Sequence, residues 1–234
     1  GQERDAYRSG PLPGLDVVFR HMPERLRDRL WIGESLITFH QHYLANVAER
    51  KGEEDYFAPR VFREAANWLR RNRDAERFFL VVDSFDPHEP WDPPARYRRL
   101  YEPDGAEGDD EPVDVICSLY GPSNLLTDRE LKRVRSNYAG EVTLVDTWLG
   151  HFLEQVDTLG LRENPLLIVV SDHGHCLGEQ GLLAKQGYPM PPEVADVALL
   201  IRHPTGEGAG TTVSEFVTHA DLAPTILAHA GVEP

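Results

Sequence analysis

The sequence predicts a layered α/β fold, on three observations. Short continuous apolar runs have strand length, longer segments carry apolar residues every three or four positions, and the two kinds alternate along the chain. The runs are "RFFLVVDSF" at 77–85, "LLIVV" at 166–170 and "VALLI" at 197–201. With 234 residues, 41% of them hydrophobic, the chain is long enough to bury a substantial core.

Residues 1–35, which contain "SGPLPG", show no sustained period and are expected to form an irregular lead-in. Helical spacing follows at 36–50 and again at 57–73, where Phe62, Ala65, Ala66 and Leu69 would share one buried face. The run at 77–85 reads as a strand covered on both faces in a parallel sheet. It leads into "DPHEPWDPP", whose prolines cannot continue a strand or helix and place His88 and Trp91 on a stiff loop. The acidic, turn-rich stretch 102–114 reads as a surface insertion without the ordered carboxylate spacing of a calcium loop. Thr127 and Glu130 form a capping box that opens a long helix carrying Val134, Tyr138, Val142, Val145, Leu149, Phe152 and Val156, with Gly160 as its C-cap. The strands at 166–170 and 197–201 come next, then a last helix with Asp221 placed to cap it and Pro224 tolerated in its first turn.

Composition narrows the function. A net charge of −15 repels phosphate backbones, so nucleic acid is not an expected partner. The cluster Arg70, Arg71, Arg73 fits the solvated end of a helix, where positive charge suits the dipole. The longest apolar runs hold five residues, far from the ~20 of a membrane helix, and no membrane partner is expected. Cys117 and Cys176 are too few for a disulfide framework and leave the compartment open; Cys176 reads as a small packed side chain rather than a ligand.

Chemistry concentrates at two strand ends, where loops of an α/β sheet converge on a crevice. The strand at 166–170 runs into Ser171, Asp172, His173 and Gly174. Asp172 and His173 reach one ion only if the backbone turns there, which Gly174 permits. Read from the tetrapeptide alone, the two are equally a helix cap and a surface histidine, and His88 alone is an ordinary loop residue. Lys185 stands out because lysine is rare here, three against 21 arginines, and follows a glycine-rich loop; its plain reading is a solvated loop lysine.

Together, "FFLVVDSFDPHEPWDPP", "YAGEVTLVDTWLGHFLEQVDTLGL", "LLIVVSDHGHCLGEQGLLAK" and "FVTHADLAPTILAHAGV" resemble successive blocks of the sulfatase family of the alkaline phosphatase superfamily, including its phosphonate and phosphate ester hydrolases. The blocks run from Phe78 to Val232. The resemblance implies a sulfatase-like layered sheet with helices on both faces, incomplete in this chain, with residues 1–234 a partial catalytic domain. It implies that Asp172 and His173 ligate a divalent cation, calcium, with manganese as the alternative. His88 corresponds to the histidine that contacts the ester and assists leaving-group departure, and Lys185 to the lysine that binds the sulfuryl or phosphoryl oxygens. The substrate so implied is a small anionic ester.

Departures from the family pattern matter too. No Cys/Ser-x-Pro-x-Arg nucleophile motif is visible: Cys117 stands in "CSLYG", and Ser9 in "SGPLP" has proline where arginine belongs. The early acidic pair that completes the metal site is also not visible, and His175 stands where many relatives carry Glu. The expectation is a C-terminal portion of a sulfatase core whose partner is the missing N-terminal part of the same domain, inactive alone and prone to self-association. The alternatives are a phosphonate or phosphodiester hydrolase on the same fold, and a non-catalytic binding module.

Overall fold

The computed structural model describes residues 11–27, 34–102, 119–163, 165–185, 187 and 189–232. Cys117, Ser9 and positions 103–114 of the acidic stretch lie outside them. Eight α-helices appear among the described residues: α1 (Leu15–Arg20), α2 (Glu24–Arg27), α3 (Glu34–Val47), α4 (Phe57–Asn72), α5 (Ala95–Arg98), α6 (Asp128–Thr158), α7 (Pro192–Ala195) and α8 (Leu222–His229). Five strands accompany them: β1 (Gly121–Pro122), β2 (Leu167–Val170), β3 (Cys176–Leu177), β4 (Leu182–Ala184) and β5 (Leu199–Arg202).

The backbone of the molecule is α6. Its 31 residues extend about 46 Å at 1.5 Å per residue. The expected capping box starts it: Glu130 N–H donates to Thr127 Oγ1 at 3.3 Å and Thr127 N–H to Glu130 Oε2 at 2.7 Å. Gly160, at φ +71°, takes the left-handed conformation just beyond its end. One end of α6 contributes Val134 to a core with Met22, Leu26, Trp91, Leu119, Leu126 and Leu183. The other end contributes Phe152 and Val156 to a core built on Ala58, Phe62, Ala65, Ala66 and Leu69 of α4. The face foreseen for α4 is thus the buried one, and Arg70, Arg71 and Arg73 are exposed beyond it.

Several expectations are corrected. The lead-in is not wholly irregular, since α1 and α2 lie within it and bury Val18, Met22 and Leu26. At six and four residues they are too short to display a period. The run at 77–85 pairs with no strand among the described residues. Leu80 and Val82 pack on the second core while Phe79 and Val81 are 70% and 69% exposed, the alternation of a one-sided extended segment rather than a strand covered on both faces. Apolar composition sets the extended shape; it does not supply a partner. Strand β2 pairs antiparallel with β5, Val170 opposite Leu199 and Leu167 opposite Arg202. A separate sheet has the order β1-β4-β3, antiparallel throughout. Asp221 stands at the N-cap position of α8, as expected, but its side chain makes no bond to that helix: it accepts from Thr218 N–H (2.7 Å) and Thr218 Oγ1–H (3.1 Å), closing the 3-10 turn His219–Asp221 that precedes it. Glu102, at the head of the acidic stretch, is buried and pairs with Arg133 Nε at 2.7 Å. Cys176 is a free, buried thiol in β3.

No helix among the described residues is long and apolar enough to cross a membrane.

Candidate active site

Two loops, far apart in sequence, meet at one place. The first is the proline-rich loop after residue 85, which carries His88. Its Asp86–Pro87 and Glu89–Pro90 peptide bonds are cis. Trp91 Nε1–H donates back to Pro87 O at 2.9 Å, and the Phe85 ring stacks on His88 with centroids 4.3 Å apart. The second loop leaves β4 through Ala184, whose φ of +69° is a left-handed conformation costly for a residue with a Cβ. That turn directs Lys185 toward the first loop.

There Lys185 Nζ lies 2.7 Å from His88 Nε2 and 3.1 Å from Glu89 Oε1. The other ring nitrogen of His88, Nδ1, sits 2.6 Å from the backbone carbonyl of Glu89, which can only accept. Nδ1 therefore carries the hydrogen. Glu89 is buried, its Oε1 receives Tyr120 O–H at 3.4 Å, and its Oε2 faces His175 Nδ1 at 3.7 Å. Burial pushes the Glu89 carboxyl up, but its neighbours His88 and Lys185 and its own backbone N–H together bring it below the usual range.

Asp172 and His173 sit just beyond β2. Gly174 does allow the turn, though through close approach rather than an unusual φ: a Cβ there would lie 2.1 Å from Glu193 O, and Gly174 N–H donates to Val194 O at 2.8 Å. Asp172 Oδ1 accepts the backbone N–H of His173 at 2.8 Å, and Asp172 Oδ2 lies 3.7 Å from His173 Nε2. The Nδ1 of His173 faces Gly174 O at 2.9 Å, which assigns its hydrogen to Nδ1 and leaves Nε2 with a lone pair beside an exposed carboxylate. A carbonyl-anchored imidazole next to a carboxylate is a donor pair that suits a divalent cation. By itself the pair is not a whole site: no group of three or more His, Cys, Asp or Glu able to hold an ion forms among the described residues.

His175 links the two halves. Its ring meets Trp91 edge-on at 4.7 Å, and its charge state responds to Glu89, Lys185, His88 and His173. Burial lowers its pKa to about 4, against the pull of Glu89 and with help from Lys185 and His88. The unfolded chain thus takes up a proton between about pH 6.5 and 4 that the folded chain refuses, and stability falls as pH falls through that window. We expect His175→Gln to reduce this slope by at most one proton's worth, about 1.4 kcal/mol per pH unit, in denaturant titrations at pH 4 to 7. Equal slopes in both proteins would show that His175 is protonated in the fold.

The four residues singled out in the sequence therefore form two pairs, His88 with Lys185 and Asp172 with His173. Glu89 was missed because a charged residue in a turn-rich loop ordinarily points to solvent. Its only local signal is its position between His88 and Pro90 in a loop too stiff to turn it away.

Known proteins resemble this chain along most of its length. The Sulfatase family model matches residues 22–232. A multifunctional alkaline phosphatase superfamily protein, PehA of Trinickia caryophylli, is 27% identical over 91% of the chain and 45% of its own length. An arylsulfatase of Clostridium perfringens is 29% identical over 74% of the chain and 38% of its own length. The crystal structure of the phosphonate monoester hydrolase of Agrobacterium radiobacter superposes with a TM-score of 0.64 at 24% identity, covering 79% of this chain and 40% of that one. The chain spans less than half the length of each of these proteins. The layered arrangement of helices and sheets is that of the sulfatase and alkaline phosphatase fold, and the chain belongs to the Sulfatase family.

Proposed function

We propose that this chain supplies the C-terminal portion of the catalytic core of a metal-dependent sulfuric ester hydrolase. The observation that carries the reading is the 2.7 Å contact between Lys185 Nζ and His88 Nε2, made across 97 residues of sequence in a Sulfatase-family chain. An ammonium and an imidazole converging in a part-buried contact suit a tetrahedral oxyanion. In this reading Lys185 binds the transferring group's oxygens, and His88 contacts the ester oxygen and assists departure of the leaving group.

Asp172 and His173 would hold part of a divalent cation's coordination, with calcium favoured by the carboxylate and manganese the alternative that imidazole admits. When bound, such an ion polarises the ester oxygens and offsets charge that builds there. The remaining ligands and the nucleophile are assigned to the rest of the parent protein. The substrate is accordingly a small anionic ester.

A second reading, a phosphonate or phosphodiester hydrolase, draws support from the 27% identity to the multifunctional PehA over 91% of the chain. Turnover of an aryl sulfate and of an aryl phosphonate monoester by the native parent protein, before and after chelation, decides between them. Preferred sulfate turnover that drops at least ~100-fold on chelation and returns with calcium is expected. Preferred phosphonate turnover establishes the second reading, and turnover indifferent to chelation contradicts the metal assignment.

A further inference from the structure

Two nitrogens 2.7 Å apart, Lys185 Nζ and His88 Nε2, are held by one proton between them, since two protonated nitrogens facing each other would repel. With Nδ1 of His88 already carrying its hydrogen toward Glu89 O, the lysine and histidine together bear a single positive charge. Among the described residues, the carboxylate in contact with this pair is that of Glu89. Its side chain is 4% exposed, with Oε1 3.1 Å from Lys185 Nζ and Oε2 3.4 Å from His88 Nδ1. A carboxylate buried to this degree needs a counter-charge, and the pair provides one unit.

We propose that Glu89 is a positioning residue of the site: it balances the one charge that Lys185 and His88 share and fixes the direction in which Lys185 points. This rests on reading Lys185 and His88 as the anion-binding pair. An ammonium has three N–H donors. One faces His88 and one faces Glu89, so the third is aimed by those two contacts and is left for a ligand oxygen. The other groups around the cluster are Tyr120, which donates to Glu89 Oε1, and His175, which approaches Oε2; His173 lies beyond His175. Neither Tyr120 nor neutral His175 brings a second positive charge. The loop leaves Glu89 little freedom, because Trp91 ties back to Pro87 and Phe85 stacks on His88.

The test reads protons rather than turnover, so a protein that hydrolyses no ester would count against the proposed function alone. Nitrogen-15 spectra of the imidazole rings are recorded against pH on the 234-residue chain and on Glu89→Gln, with His88 assigned by its loss in His88→Asn. In the parent chain His88 should show a protonated Nδ1 and a hydrogen-bonded, proton-accepting Nε2. In Glu89→Gln, where the pair loses its counter-charge and Lys185 its charged acceptor, the Nε2 signal of His88 should move away from its hydrogen-bonded position, and Glu89→Asp should restore part of the change. An unchanged Nε2 signal in a Glu89→Gln chain of native circular dichroism overturns the proposal. Should that variant fail to fold, Lys185→Met reads the same coupling from the other side: the Glu89 carboxyl, followed by carbon-13, should titrate at higher pH, and an unchanged titration overturns the proposal.

Discussion

Replacing Lys185 by methionine, or His88 by alanine, is expected to lower kcat/KM of the parent protein for an aryl sulfate by about 10²- to 10³-fold. The two effects should divide differently. Lys185 would contact oxygens that carry charge both in the bound ester and in the transition state, so its loss should raise KM as well as lower kcat. His88 contacts an oxygen whose charge grows only as the leaving group departs, and its loss should fall on kcat. The double variant should cost less than the product of the two single losses, because each side chain helps hold the other at 2.7 Å. Steady-state kinetics with leaving groups of graded acidity checks both points: the His88 variant should be most impaired on the poorest leaving group. Equal impairment across the series would remove His88 from leaving-group departure.

Arg50→Met should destabilise the chain by about 3–5 kcal/mol, the range for leaving a buried charge without its partner. Arg50 follows α3 and reaches, largely buried, into a pocket beneath the His88 loop. Its Nη1 donates to Asp92 Oδ2 at 2.8 Å, and its guanidinium lies 4.0 Å from the Tyr56 ring and 4.9 Å from that of Phe57. Tyr43 O–H also donates to Asp92. Two further carboxyls share the pocket. Asp86, buried, accepts Ala58 N–H at 2.7 Å near the start of α4, and Glu141 of α6 is 3% exposed. Burial pushes Asp86 up to about 6, against the pull of the Ala58 N–H and of Arg50; burial, with the charges of Asp86 and Asp92, pushes Glu141 well above the carboxylate range. Three acids therefore lean on one guanidinium, and Asp86 and Asp92 are the residues at which the His88 loop begins and ends.

The pH dependence of that loss has a definite sign. A carboxyl whose folded pKa is raised costs stability above that pKa, and the cost is released as pH falls through it. Removing Arg50 raises these carboxyls further. The gap between Arg50→Met and the parent chain should consequently be larger near pH 8, shrink as pH falls toward about 6 while the variant's carboxyls take up their protons ahead of the parent's, and be smallest below that. Urea denaturation at the two pH values measures it. A gap that does not change with pH would mean the loss comes from the packing of Arg50 on the Tyr56 and Phe57 rings rather than from its pull on the carboxyls.

The helices were readable wherever one face is apolar throughout. In α4 the spacing of Phe62, Ala65, Ala66 and Leu69 named the buried face, and in α6 Thr127 and Glu130 named the first turn. What periodicity could not reveal is that α6 also buries a polar face: Glu130, Arg133, Ser136, Asn137 and Glu141 are all buried. A polar stripe on an amphipathic helix reads as solvated, and only three-dimensional partners, such as Arg25 for Glu130, say otherwise. The run at 77–85 shows the opposite failure, since an apolar segment states a preference for burial without naming what covers it. At the site, residue chemistry marks Asp172, His173 and Lys185 only as candidates and His88 as an ordinary loop residue; the order of four sequence blocks joins them, and the fold brings His88 to Lys185. Glu89 needed the fold, because its partner Lys185 comes from the distant β4 loop.

The decisive measurement is a crystal structure of the parent protein grown with manganese and inorganic vanadate, the ion located by its anomalous scattering. The ion should lie on Asp172 and His173, with the vanadate between it, Lys185 Nζ and His88 Nε2. Manganese bound elsewhere with Asp172 and His173 free, or vanadate out of reach of Lys185, would contradict the assignment of these residues to one ester-hydrolysing centre.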